Sequence, residues 1–238
     1  MQRYFTKQKQ ENQFLLSKED SYHIKTVMRM KIGNQVEVVY NHIGYLCEIL
    51  DLEEEISVRI LKKQEEKNEL SLPVTIVQSL VKEQKMDYIL QKSTELGVSN
   101  IIVYQADRSV VKMEEKIDKK VERWQKIMKE AAEQSKRTTV PTITFVPTLS
   151  NLVNLIDFDI KFLCTVNEKS QNLKKVLSNL KGSARMVFVI GPEGGFTEKE
   201  ETTLMGHGFI PISLGDSVLR SETASTFIMS VVRFLDMR

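Results

Sequence analysis

"VFVIGPEGGFTEKE", residues 187–200, runs four apolar residues into a glycine-rich turn and then into a charged helix start. The pattern is strand, turn, helix. Thr197 with Glu200 three residues on matches a capping box and places the helix start at Thr197. Pro192 removes one backbone donor, while Gly194 and Gly195 permit close approach or positive φ. Turns of this kind often hold phosphate. A Walker A loop, however, needs G-x-x-x-x-G-K-[ST], and a dinucleotide fingerprint needs G-x-G-x-x-G. Neither is present, and Glu193 would repel a polyphosphate. From the turn alone, a ligand wall and a tight turn with an exposed acid are equally good readings.

A second stretch tips the balance. "ISLGDSVLRSETAS", residues 212–225, is again strand, glycine-containing loop and helix start, with Ser221 as the expected N-cap and Glu222 placed to suit the helix dipole. Arg220 and Glu222 could form no more than a surface ion pair. But two successive βα loops at the C-terminal ends of strands are where α/β sheets bind ligands. One acid among backbone amides and carbonyls suits a neutral or cationic ligand carrying an adenine and a ribose.

Working outward, "PVTIVQSL" (73–80), "SNIIVYQA" (99–106), "TITFV" (142–146), "IKFLCTV" (160–166) and "MVFVI" (186–190) are apolar runs of strand length. Between them lie helical patterns: Met86, Ile89, Leu90 and Leu96 ending at Gly97, then Ile117, Val121, Trp124, Met128 and Ala131 within 116–137. A last helix from Ser221 aligns Ala224, Phe227, Ile228, Val231 and Leu235. Alternating strand and helix predicts a parallel sheet covered on both faces. Upstream, "NQVEVVY", "GYLCEIL" and "EISVRIL" are short strands separated by turn signals at Asn41–Gly44 and Asp51–Glu55, the pattern of a small antiparallel barrel or sheet. "SKEDSYHIKTVMRM" is expected to be one helix from a Ser17/Asp20 start to near Gly33. The charged run 61–71 before Pro73 reads as a linker or exposed turn. The expected domains are thus 1–70, β-rich, and 71–238, α/β.

Composition narrows the function. With 41% hydrophobic and 28% charged residues, the chain has the make-up of a soluble globular protein. A net charge of +2 does not by itself indicate nucleic acid, but residues 1–35 carry seven Lys/Arg against three acids, so basic character gathers at the N-terminal end. Cys47 and Cys164 sit in apolar strand-like settings, which predicts reduced, buried thiols and a cytoplasmic location. Three scattered histidines without C-x-x-C predict no metal site. The N-terminus lacks an apolar h-region and there is no 18-residue apolar run, so neither export nor membrane spanning is expected.

"GPEGGFTEKE" followed by "LGDSVLRSETA" resembles the paired C-terminal signature of the RsmE family, the 16S ribosomal RNA (uracil-N3)-methyltransferases of the SPOUT superfamily. "QRYF", "HIKTVMRMKIGNQV", "STELGVSNI", "DRSVV" and "EAAEQSKRTTVP" agree with the family pattern, so the resemblance runs from Arg3 to Ala224. One departure is Ser217, where the family commonly has a basic residue; Arg220, the second arginine of that run, is kept.

The resemblance implies a C-terminal SPOUT domain with a parallel sheet and a deep trefoil knot, and an N-terminal PUA-like β-barrel. It implies that S-adenosylmethionine is cupped by three loops: Thr165 and Val166; Ile190, Gly191, Pro192, Glu193, Gly194 and Gly195; and Leu214 through Ala224, including Gly215, Val218, Leu219, Arg220, Ser221, Glu222 and Thr223. It further implies 16S ribosomal RNA in the 30S subunit as substrate and a homodimer, for which the last helix (Phe227, Ile228, Val231, Leu235) is a candidate interface. Arg3, Tyr4, Phe5, His23 and Arg29 are candidate RNA contacts, with Tyr4 or Phe5 stacking on a base; Arg108, Gln134 and Arg137 join them from family-matching motifs. Arg220 is the candidate catalytic residue, stabilising charge on the uracil carbonyls, with Glu222 as a possible proton acceptor. The alternatives are a SPOUT enzyme acting on another RNA, such as a tRNA ribose, and a non-catalytic RNA-binding assembly factor.

Overall fold

The computed structural model describes residues 1–65, 68–112, 117–155, 157–178 and 184–237. The chain divides into two compact units, Met1–Glu69 with Ala132–Thr139 and Leu70–Ala131 with Val140–Arg238.

The first unit is built on one mixed six-stranded sheet. Its elements are β1 (Arg3–Phe5), β2 (Gln8–Gln10), β3 (Gln13–Leu15), α1 (Lys18–Tyr22), β4 (Gln35–Tyr40), β5 (Ile43–Ile49) and β6 (Ser57–Lys63). The order β1-β4-β5-β6-β3-β2 leaves two free edges, so the sheet is a curled half-barrel and not a closed barrel. β1 runs parallel to β4 and the other pairs are antiparallel. Asn41 and His42 turn the β4–β5 hairpin at φ 48° and 63°, the left-handed pair a tight hairpin needs. Alternation sends Val36, Val38, Cys47, Ile49 and Val58 inward onto Phe14 and Leu16.

Two expectations change here. Ser17 does cap α1, accepting from Asp20 N at 3.1 Å. The helix stops well short of Gly33, however. It widens into a π-turn over His23–Val27 and breaks at Arg29, whose φ of 50° cannot continue a right-handed helix. The charged run after residue 61 begins as strand, since β6 extends through Lys63; Glu66 and Lys67, in the expected linker, and residue 116, at the start of the expected helix, lie outside the described residues.

The second unit holds β7 (Val74–Ser79), α2 (Glu83–Glu95), β8 (Asn100–Tyr104), α3 (Ile117–Gln134, its end in the first unit), β9 (Thr142–Val146), α4 (Leu149–Leu155), β10 (Ile160–Cys164), α5 (Leu173–Ser178), β11 (Met186–Ile190), α6 (Glu198–Gly206), β12 (Ile210–Ile212) and α7 (Ser221–Asp236). All six strands are parallel, in the order β12-β10-β11-β7-β8-β9. Every residue of β7 and β11 is buried, as a central parallel strand covered on both faces requires. Met186, Phe188 and Ile190 face one core with Trp124, Met128, Ile228 and Val232; Val187 and Val189 face the other with Leu152 and Leu204. Both cysteines are free, but only Cys47 is fully buried, and burial pushes its thiol up to about 12.

Candidate functional site

The neighbouring strands β12, β10 and β11 release their following loops at the same sheet edge, the C-terminal one. The three loops enclose a cleft of about 710 Å³, a size suited to a small-molecule ligand. The loop after β10 is anchored to that after β12: Thr165 N donates to Ile212 O at 3.1 Å, Ser213 N to Gln171 O at 2.8 Å, and Leu173 N to Ser213 O at 3.0 Å. The Thr165 hydroxyl donates to Glu201 at 2.6 Å, and Asn167 Nδ2 donates to the other oxygen of that carboxylate at 3.2 Å. Glu168 folds back on its own loop. The Ser170 hydroxyl and the Gln171 and Ser170 amides hold its carboxyl down to about 2.

The loop after β11 is the glycine turn. Gly195 N closes it onto Pro192 O at 2.9 Å, and Gly195 sits at φ 66° with nothing within 4 Å of where a Cβ would be. At Gly194 a Cβ would stand 3.4 Å from Arg108 Cβ, so the arginine packs directly on the turn. Arg108 Nη1 donates to Gly194 O at 3.1 Å and Phe196 O at 3.2 Å, so this residue, expected at RNA, braces the turn. The capping box is present: Glu200 N donates to Thr197 Oγ1 at 3.2 Å and Thr197 N to Glu200 Oε2 at 2.8 Å. Glu200, buried, also accepts from the Tyr104 hydroxyl at 2.7 Å and Asp107 N at 3.0 Å. Burial alone would raise its pKa; the Thr197 amide, Tyr104 hydroxyl and Asp107 amide outweigh that and hold it below the ordinary glutamate value.

The loop after β12 ends at α7. Ser221 is not the N-cap, which is Arg220, without a side-chain capping bond. The Ser221 hydroxyl is drawn across the cleft floor instead, donating to Gly191 O at 2.8 Å and accepting from the buried Gln78 Nε2 at 2.8 Å. Of the residues expected at the cofactor, Thr165, Val166, Ile190 through Gly195, Leu214, Gly215, Val218 through Ser221 and Ala224 line the cleft. Glu222 and Thr223 do not; the Glu222 carboxylate lies instead near Lys85. The Arg220 side chain is exposed at the cleft with no hydrogen-bond or ion-pair partner among the described residues. Sequence reasoning missed Asn167, Lys169, Phe196, Glu201 and Asp216, which also line it. The loop after Val166 has no glycine and no charge pattern to mark it; Asp216, inside the quoted run, was there to be seen.

In the first unit several expected RNA contacts turn inward. Tyr4 is a core residue, 1% exposed, its hydroxyl sharing a hydrogen bond with His23 Nδ1 at 3.1 Å, so it offers no face to a base. Burial, then Glu133 and Asp20, push the Tyr4 hydroxyl well above its ordinary pKa. Arg3, 2% exposed, binds Glu37 at 3.1 Å and the carbonyls of Lys136 and Arg137 at 2.6 and 3.1 Å. Arg137, 3% exposed, is paired with Glu69. These two arginines are buried because β1 and the 132–139 segment both belong to this unit's interior. Phe5 and His23 are half-buried, whereas Arg29 and Gln134 are exposed. On the other side of the balance, Tyr22 (61% exposed), Val27, Met28 and Ile32 are open apolar residues on the same short segment as Arg29 and Lys31. A tyrosine read as part of a helix gave no sign of its exposure. The last helix is corrected too. Ile228 is fully buried, with Ser225, Met229 and Val232, so the exposed stripe is Phe227, Phe234 and Leu235.

Residues 68–233 match the RNA methyltransferase domain family, and residues 16–61 match the RNA methyltransferase PUA domain family. The ribosomal RNA small subunit methyltransferase E of Bacillus subtilis is 37% identical, the alignment covering 98% of this chain and 96% of that protein. The chain belongs to the ribosomal RNA small subunit methyltransferase E family. The enzyme of the same name from Mesomycoplasma hyopneumoniae is 31% identical over 97% of this chain and 98% of its own. Among solved structures, a ribosomal RNA small subunit methyltransferase E from Neisseria gonorrhoeae bound to S-adenosyl methionine superposes with a TM-score of 0.87 at 28% identity, covering 99% of this chain and 98% of that one. The half-barrel is therefore the PUA part of this methyltransferase and the parallel sheet its RNA methyltransferase domain.

Proposed function

We propose that this family member transfers the methyl group of S-adenosylmethionine to N3 of a uridine in 16S ribosomal RNA of the small subunit. The observation that carries the reading is one cleft closed by the loops of three adjacent parallel strands, with the unpartnered Arg220 on its wall. The residues fit the cofactor. Val166 and Val218, 67% and 80% exposed, leave apolar surface open for a heterocycle beside Leu214 and Leu219. Gly195 leaves the turn open to close approach, and Glu201 and Asp216 place negative charge around a cationic centre. When bound, S-adenosylmethionine supplies an electrophilic methyl carbon on a sulfonium that leaves as a neutral thioether.

What the chain itself must do is align and discharge. Alignment falls to the loops, each tied to the next by backbone bonds, so that nucleophile and methyl are held in line. Loss of the N3 proton spreads negative charge over the two flanking uracil carbonyls. The Arg220 guanidinium, bound to no other group among the described residues, is free to donate to those oxygens. Incubating the protein with labelled S-adenosylmethionine and 30S subunits, followed by nucleoside analysis, tests the reading: N3-methyluridine is expected, and ribose methylation or no transfer overturns it.

RNA is held by the first unit through the exposed segment from Tyr22 to Ile32, where open apolar side chains alternate with Arg29 and Lys31. Basic residues neutralise phosphate and the tyrosine ring stacks on an unpaired base. Tyr22→Ala is expected to weaken rRNA binding about tenfold without changing affinity for the cofactor; filter binding and calorimetry read the two separately, and unaltered RNA affinity would remove Tyr22. The protein pairs as a homodimer through the exposed Phe227, Phe234 and Leu235 of α7, which sedimentation at twice the 27.4 kDa chain mass checks. The trefoil knot belongs to the same proposal. It is supported by the tight lacing of residues 212–221 against 165–173 and Gly191, and an experimental chain trace through 160–221 tests it. No helix among the described residues is long and apolar enough to cross a membrane, and a modifier of ribosomal subunits is placed in the cytoplasm, where cell fractionation should find it with those subunits.

A further inference from the structure

Lys85, on the first turn of α2, stands outside the cleft but reaches both of its principal walls. Its Nζ lies 2.8 Å from Glu193 Oε1 on the glycine turn and 3.4 Å from Glu222 Oε2 in the first turn of α7. The first contact is a hydrogen bond. The second is an ion pair without hydrogen-bond geometry, and Glu222 Oε2 is buried with no other partner in the described residues. The three side chains are all at least two-thirds covered, so solvent screens them less than it would a fully open surface pair. Three chain segments far apart in sequence, α2, the turn after β11 and the start of α7, thus meet at one ammonium group. Without it two carboxylates, each held close to the same point, would face each other.

We propose that Lys85 is a positioning residue for the cofactor cleft: by holding Glu193 and Glu222 together it fixes the glycine turn against α7 in the geometry that admits the ligand. The inference rests on the proposed S-adenosylmethionine function and adds to it a residue that does not line the cleft. Glu193 is the link. It lines the cleft together with its neighbours Pro192 and Gly194, and its carboxylate meets the lysine.

Lys85→Met keeps the length and apolar stem and removes only the charge. Calorimetric affinity for S-adenosylmethionine is expected to fall about three- to tenfold, with KM for the cofactor raised by the same factor and kcat at saturating cofactor close to that of the unmodified protein. Lys85→Arg is expected to recover most of the affinity. Glu193→Gln should cause a similar loss, and the double variant no more than either alone, because both break one linkage. A purely structural role would instead lower the melting temperature and leave KM in place. Unchanged affinity in Lys85→Met, additive losses in the double variant, or a fall in kcat with KM constant each overturns the proposal. If Lys85→Met fails to fold, Glu193→Gln alone carries the test from an exposed turn. Failure of the unmodified protein to bind S-adenosylmethionine would overturn the proposed function itself, and is read from the control.

Discussion

Arg220→Ala is expected to fold, to bind S-adenosylmethionine with near-normal affinity, and to lose about 10²–10³ of kcat, the usual effect of removing one donor that meets charge developing in a transition state. The prediction of normal folding follows from the surroundings. Arg220 is exposed, its side chain caps no helix and pairs with no acid among the described residues, so no structural bond is broken. The loss in rate follows from the chemistry at N3. Once the proton leaves, the charge resides on carbonyl oxygens that need donors, and Arg220 is the only arginine besides Arg108 on the described cleft wall. Arg108 is already committed to the carbonyls of Gly194 and Phe196. Single-turnover measurement with saturating cofactor and 30S subunits separates chemistry from binding. Wild-type turnover in Arg220→Ala would take the residue out of the mechanism; a collapse in cofactor affinity would make it a binding residue instead.

The second large effect is on stability. Glu200→Ala should cost about 3–5 kcal/mol, measured as a shift of the urea midpoint at constant m. The buried carboxylate receives four donors from three places: the Thr197 amide and hydroxyl at 2.8 and 3.0 Å, the Tyr104 hydroxyl at 2.7 Å and the Asp107 amide at 3.0 Å. Truncation leaves a buried tyrosine hydroxyl without its acceptor and undoes the capping box. Because Asp107 adjoins Arg108, and Arg108 braces Gly194, a weaker cofactor affinity should accompany the loss. A cost under about 1 kcal/mol would mean that the donors find water or other partners. The pH dependence has a definite sign. The folded pKa of Glu200 is depressed, so its contribution is complete above the ordinary glutamate value of about 4.3 and is lost as the pH falls through the lower folded value. The stability gap between the natural protein and Glu200→Gln should therefore narrow in that acidic window.

The two ends of this chain were unequally legible. In the C-terminal part, β7 and β11 announce themselves as unbroken apolar runs because both of their faces are buried, and Thr197 with Glu200 marks the start of α6 because a capping box is a local device. In the N-terminal part, the strands β4, β5 and β6 were visible by composition, but β1 was not, since three residues give no period to read. Arg3, Tyr4 and Arg137 looked like RNA contacts because charge and aromaticity at the N-terminal end are compatible with either fate; only the packing of β1 beside β4 and of the 132–139 segment in the same unit turned them inward.

The site shows the same division. The residues at 190–195 and 214–221 could be named from sequence because glycines, a capping box and a helix start mark βα loops, and βα loops at strand ends bind ligands. That these loops share one cleft depends on the strand order β12-β10-β11, which is a matter of which strand inserts between which and leaves no trace in local sequence. Glu193 is the sharpest case. Its charge argued against phosphate but its sequence neighbourhood showed no partner for it, whereas the fold brings to it Lys85, 108 positions away. Local pattern alone determined the buried strands and main helices of the C-terminal part, the glycine turn and the class of ligand, because these follow from short-range backbone geometry and charge. Tertiary structure alone decided which polar side chains are buried, which meet, and which remain free to act, because burial and pairing are set by contacts that close only when distant segments pack.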